Sequence, residues 1–230
     1  MRRTSDEASA GRRRFLRAAA TSTAIAATAW ARLGSAGEAH EEAEVTPGED
    51  LMQEHGVLER ILLVYDESAR RIERGEPLDL AVVTEAAGIV RRFVEDYHEQ
   101  NEEHFVFPRL ETAKREVELV AVLRLQHRRG REMTDEVVRR SSAGKASPEL
   151  AQLLLGFERM YRPHAAREDT VVFPAFRRVV GGAAYRDLGE QFEEQEHARF
   201  GGHGFEDTVA AVARLESRLG IEDLARFTPT

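Results

Sequence analysis

Four successive segments of the chain repeat apolar residues every three or four positions, and one histidine interrupts each run. The first reads Leu51, His55, Leu58, Leu62, Tyr65, Ala69, Ile72 and stops at "RGEP", residues 74–77. The second reads Ala87, Val90, Val94, His98, Glu102, Phe105 and stops near Pro108. The third reads Val120, Leu123, His127, Gly130, Thr134, Val137 and stops in "SSAGKASP". The fourth reads Leu150, Leu153, Phe157, Met160, His164, Glu168, Val171 and stops near Pro174. This spacing predicts four amphipathic helices. Short connections make sequential helices antiparallel neighbours, so the expected fold is all-α: an up-down-up-down four-helix bundle of two helical hairpins over residues 49–180. Two further helical stretches, near 185–199 and 205–219, are separated by "GGHG". They predict a C-terminal extension over 181–230, packed on the bundle as one broken helix or a hairpin.

The polar residues in the seams need a common explanation. In a helix, positions four apart lie nearly above one another, about 6 Å along the axis. His98 and Glu102 therefore share a face, as do His164 and Glu168. A carboxylate in an apolar seam costs several kcal/mol unless it is paired or bound to a cation, and the seams offer no Lys or Arg. Two divalent ions answer the stoichiometry: Glu102 and Glu168 as bridges, with His55, His98, His127 and His164 as terminal ligands, two per metal. Imidazole plus carboxylate suits iron, and also manganese or zinc, but not calcium or magnesium. With a solvent bridge each ion reaches about five ligands, and a sixth position stays open for a small molecule.

The two ligand pairs lie in an internal repeat. "HEQNEEHFVFP" from His98 and "HAAREDTVVFP" from His164 both read His, three residues, Glu, three residues, Val-Phe-Pro. Pairing His55 with the first copy and His127 with the second describes a duplicated hairpin, with a dimetal site between the copies. On a regular helix Phe107 falls about half a turn from His98. The Phe-Pro element is thus expected to face away from the metals and to end each ligand helix.

Composition closes other routes. The chain has 230 residues and no cysteine, which removes disulfides, thiolate nucleophiles and iron–sulfur ligation. Residues 1–36 hold seven arginines and two acids, leaving 26 basic and 39 acidic residues for the rest. So acidic a body does not suit nucleic acid. No apolar run in it is long enough to predict a membrane span. The segment "GRRRFLRAAATSTAIAATAWARLGSAGEA" has the parts of an export signal over residues 1–39. Arg12, Arg13 and Arg14 precede Phe15-Leu16, a mildly apolar run reaches Trp30, and small residues allow cleavage after Ala36 or Ala39. The arginines before Phe-Leu resemble a twin-arginine signal, which implies export in the folded state to a periplasmic or extracytoplasmic compartment. Residues 40–48 are then a linker. Left on the chain, the segment would be a basic tail of a cytoplasmic protein.

The pattern His, His-x-x-x-Glu, His, His-x-x-x-Glu on four helices, over about 49–180, resembles the hemerythrin-like, or HHE cation-binding, family. The resemblance implies a non-haem di-iron site inside a four-helix bundle, with ligands His55, His98, Glu102, His127, His164 and Glu168. Such proteins bind dioxygen, sense oxygen or iron, or react with peroxide or nitric oxide. One departure is informative. Oxygen carriers of the family have a fifth histidine four residues after the one on the third helix, where this chain has Arg131. The missing ligand favours redox chemistry over simple oxygen carriage.

Other polar residues receive lesser roles. Glu59 completes a third His-x-x-x-Glu but suits a surface position beside Arg60. Tyr161 suits a core position with its hydroxyl near a polar group, though it could line the site. Glu99 and Glu103 are expected in solvent, His104 exposed and His203 in a loop. His197 is a minor candidate to cap the site. The leading expectation is a di-iron protein that binds or reduces dioxygen, peroxide or nitric oxide, drawing electrons from an unidentified donor. The rivals are a non-catalytic module that stores or senses oxygen or iron, and a bundle whose metals only stabilise it.

Overall fold

The computed structural model describes residues 45–229, and the export signal expected over 1–39 lies outside them. Six helices follow in order, with no strand among the described residues. Helix α1 is Pro47–Arg74, α2 runs over 80–112, α3 is Val117–Ser142, α4 runs over 148–180, α5 is Gly182–Phe200 and α6 is Gly204–Leu219. Their ends follow local chemistry. Thr46 and Glu49 form a reciprocal capping box at the start of α1, with Pro47 in the first turn. Gly75, at φ 66°, closes that helix in the left-handed conformation. Asp79 caps α2 and Ser147 caps α4; each such cap stabilises its helix by about 1 kcal/mol.

Contacts fix the up-down order. Along α2 the sequence Arg91, Glu95, Glu103, Glu111 meets Asp135, Thr134, His127 and Arg124 of α3, so the two run antiparallel. Between α1 and α4, His55 meets Asp169, Glu59 meets Arg162 and Tyr65 meets Phe157. Between α3 and α4, His127 meets His164 and Met133 lies against Gly156. Two apolar clusters fill the bundle. One is built around Ile61, Tyr65, Val137 and Phe157, the other around Leu51, Phe107, Leu123 and Phe173. The histidines and glutamates form a layer between them.

Helices α5 and α6 are a hairpin turned at 201–203, and they cover the α1–α2 side. Tyr185 Oη accepts a hydrogen bond from the Gly48 N–H at 3.0 Å. Arg60 pairs with Glu216, Arg218 with Asp79, and Phe205 packs 6.4 Å from Phe93. This cover explains why α2 is buried almost all round, from Phe93 to Glu102.

The prolines do not end the ligand helices. The helical path continues past Pro108 to Thr112 and past Pro174 to Val180. A π-helical turn precedes each one, Glu102–Val106 and Glu168–Val172. The Phe107 N–H donates to the carbonyl of Glu102, five residues back, and Phe173 does the same to Glu168. Each proline then occupies the first turn of a fresh α segment, where its missing N–H is tolerated.

Helices α3 and α4 approach closely at one glycine. A Cβ on Gly130 would lie 1.9 Å from Tyr161 Oη. Gly130→Ala is therefore expected to lose about 1–3 kcal/mol through overpacking, despite the roughly 1 kcal/mol by which alanine favours a helix over glycine. Denaturant unfolding checks this, and a variant as stable as the parent would contradict the close approach.

Candidate metal centre

The bundle brings together all six residues marked by the sequence. His55 comes from α1, His98 and Glu102 from α2, His127 from α3, His164 and Glu168 from α4. All are at most 3% exposed. They form two groups whose ligating atoms lie within 4.8 Å of one another: His55, His98, Glu102, Glu168, and His127, His164, Glu102, Glu168. The histidines divide by hairpin and both glutamates are common to the two groups. His55 Nε2 lies 3.0 Å from His98 Nε2, and His127 Nε2 lies 3.2 Å from His164 Nε2. Glu168 Oε2 is 3.3 Å from His55 Nε2 and 3.0 Å from His164 Nε2. Glu102 Oε2 is 3.4 Å from His127 Nε2 and 3.6 Å from His98 Nε2.

Every imidazole is held from behind. Nδ1 of His55 faces Asp169 at 2.7 Å, and that of His98 faces Glu54 at 2.7 Å. Nδ1 of His127 faces Glu103 at 2.9 Å, and that of His164 faces Gln126 Oε1 at 2.9 Å. All four partners accept hydrogen bonds, so each Nδ1 is assigned a proton, and each ring, when neutral, points its Nε2 lone pair inward. Nothing in the His-x-x-x-Glu pattern singles out these supports. The available signal was adjacency: Glu54, Gln126, Asp169 and Glu103 each neighbour a centre residue in sequence.

The donor set fits a metal pair. None of the four oxygens of Glu102 and Glu168 accepts a hydrogen bond, although both side chains are fully buried. Such orphaned carboxylates are costly unless a cation meets them. Among the protein's own groups only protons can balance them. Burial and the charge of Glu168 raise Glu102 well above the ordinary carboxylate range. Burial pulls His55 down, but Asp169 and Glu168 outweigh it and lift the imidazole to about 9. Burial and the neighbouring His55 hold His98 well below its ordinary value. Divalent cations would displace these protons and use the facing lone pairs.

The Phe-Pro expectation is corrected here. Phe107 stacks on His127 at 5.5 Å and Phe173 on His55 at 5.5 Å. The extra residue of each π turn changes the phase from half a turn to about 80°. Each phenylalanine therefore returns to the histidine layer as an apolar wall. Glu99 also departs from expectation: it is 1% exposed. It accepts from Tyr161 Oη at 2.7 Å and pairs with Arg131 at 2.7 Å, and burial lifts it to about 8. Glu103 is partly buried, bound by His127 and Arg131, which outweigh burial and hold it near 2. The side chain of Arg131, at the fifth-histidine position, engages these two glutamates. Glu59 is half-exposed, with Arg162 at 3.9 Å. His197 and His104 are exposed, and His203 lies in the turn before α6.

The comparisons agree with this geometry. The family model described as the hemerythrin HHE cation-binding domain matches residues 46–177. Uncharacterized proteins of Mycobacterium bovis and Mycobacterium tuberculosis are 49% identical over 195 residues, covering 83% of this chain and 76% of theirs. No solved structure matches. With its bundle, its buried His/Glu groups and a family match over more than half its length, the chain belongs to the hemerythrin HHE cation-binding family.

Proposed function

We propose that the protein is a non-haem di-iron protein that binds and reduces a small oxygen species: dioxygen, peroxide or nitric oxide. The convergence of four imidazole lone pairs on two carboxylates that accept no hydrogen bond carries this reading. Ligand type supports iron. Manganese or zinc would also accept imidazole and carboxylate, so metal analysis decides between them.

A ferrous pair, when bound, supplies two electrons and an open position for the oxygen species. The chain's own residues do the rest. Glu102 and Glu168, common to both histidine pairs, would hold the ions, and no hydrogen bond fixes their oxygens. Asp169, Glu54, Glu103 and Gln126 hold the rings so that only Nε2 faces inward. Phe107 and Phe173 exclude bulk water. The full burial of the six residues admits only small molecules. Reduction consumes protons, and Glu99, lifted to about 8 between Tyr161 and Arg131, is placed to hold one beside the centre. Arg131 at the fifth-histidine position supports turnover over reversible carriage. The Arg12-Arg13-Arg14-Phe15-Leu16 segment supports export after folding, which lets the cytoplasm supply the iron.

Metal analysis with optical spectra under nitrogen, air and peroxide tests the reading. About two irons per chain and a spectrum that responds to oxidant are expected; less than one metal per chain, without iron, refutes it. His98→Ala and His164→Ala should each lose metal, and retention of two irons in either would overturn the ligand assignment. Asp169→Ala should weaken metal binding by about 10–100-fold while the bundle stays folded by circular dichroism. Stripping metal present at 100 times its Kd should cost about 2.7 kcal/mol, seen as a fall in Tm of roughly 5–10 °C.

A further inference from the structure

The two hairpins are covered unequally. On the first, α5 lies over the N-terminal part of α1: Tyr185 reaches Gly48, and a Cβ on Gly189 would lie 3.5 Å from Pro47. The N-terminal part of α3 is its counterpart in the second hairpin. There Val117, Val122 and Leu125 are 45%, 50% and 57% exposed, with Ala121 exposed between them. Positions 117, 121 and 125 recur every four residues, so they form one stripe, with Val122 beside it.

The surroundings of this stripe reverse the charge of the molecule. Between Arg109 and Glu132 there are seven basic and four acidic residues, in a chain of net charge −8. Lys114 and Arg115 lie exposed at one end of the stripe, and Arg128 and Arg129 at the other, where Arg129 also pairs with Glu132 at 2.7 Å. A line of contacts leads inward from it. The Arg124 guanidinium sits 5.1 Å over the Phe107 ring, and Phe107 stacks on His127. Next to Leu125, Gln126 holds His164. Both histidines of one half of the centre are thus one residue removed from this face.

The geometry points to this apolar and basic face of α3 as the docking surface for an acidic protein that delivers electrons to the metal centre. Basic residues around a small apolar patch steer an acidic partner and let it leave again, as transient redox encounters require. Glu118 and Glu132 lie on the same side of the helix. They would repel a uniformly anionic lipid surface, whereas a protein can place its own charges around them. The helix that covers the other hairpin, α5, is itself acidic, with Asp187, Glu190, Glu193 and Glu194. Each encounter oxidises one donor by one electron and reduces one ferric ion to ferrous; two encounters recharge the pair and no covalent bond changes. The electron-transfer part rests on the di-iron reading above.

The test uses the full iron-loaded chain with a plant-type [2Fe–2S] ferredoxin, an acidic one-electron donor, as probe. Binding is measured by calorimetry with both proteins oxidised, and electron transfer by stopped flow with the ferredoxin reduced. The parent should bind at low salt, lose affinity as salt rises, and oxidise the ferredoxin. Leu125→Glu and Arg128→Glu/Arg129→Glu should each weaken binding and slow transfer by roughly tenfold or more, with iron content, melting temperature and reduction by dithionite unchanged. Variants that bind and accept electrons like the parent would overturn the proposal, as would a parent that ignores ferredoxin or prefers basic cytochrome c. A parent that sediments as a dimer, with Leu125→Glu monomeric, would give the face to a second copy and overturn it too. If binding depends on these residues but neither ferredoxin nor dithionite reduces the centre, the docking face stands and the redox reading fails.

Discussion

Two carboxylates, Glu102 and Glu168, face one another inside an apolar bundle with no hydrogen bond to either. The arrangement of the layer follows from them. Like charges this close and this buried repel strongly, and the two apolar clusters on either side offer no relief. Four imidazoles meet the carboxylates from four helices, and four further side chains then fix the imidazoles. The apolar clusters hold the bundle together, and the carboxylates determine what its middle must contain.

The backbone is adapted to this layer. Both glutamates start a π turn, so their carbonyls accept from an amide five residues on and the helix widens at that point. The wider turn re-aims Phe107 and Phe173 at His127 and His55, and it lets a proline follow without breaking the path. Glycine makes a similar allowance at 130, where α3 and α4 come close enough for Tyr161 to reach Glu99.

Much of this was legible in the sequence, for physical reasons. The helices and their order follow from apolar spacing, which depends only on the 3.6-residue period. The six inward residues follow from the same period applied to His98/Glu102 and His164/Glu168, where helical pitch brings the pair together. The direction of Phe107 was not legible, because a single π turn shifts the phase and leaves no mark in residue type. Glu99 looked exposed because α2 was read with regular helical phase; a π-helical stretch, Val90–His98, precedes it, and Glu99 meets Arg131 of α3 and Tyr161 of α4 inside the bundle. The supports Glu54, Gln126 and Asp169 went unseen because hydrogen-bond partners across helices depend on packing. Each sits beside a centre residue in sequence, so helical geometry could have raised them as candidates.

The four supports are not alike. His55 and His98 both lean on carboxylates, Asp169 and Glu54, while His127 has the carboxylate of Glu103 and His164 only the amide of Gln126. A carboxylate behind an imidazole makes it a stronger electron donor than an amide does. The two halves of the layer are therefore not interchangeable, even though both hairpins carry the same His-x-x-x-Glu and Val-Phe-Pro pattern. An ion between His55 and His98 would be the harder of the two to reduce. The pair as a whole would carry a built-in gradient, running from the covered hairpin to the bare one.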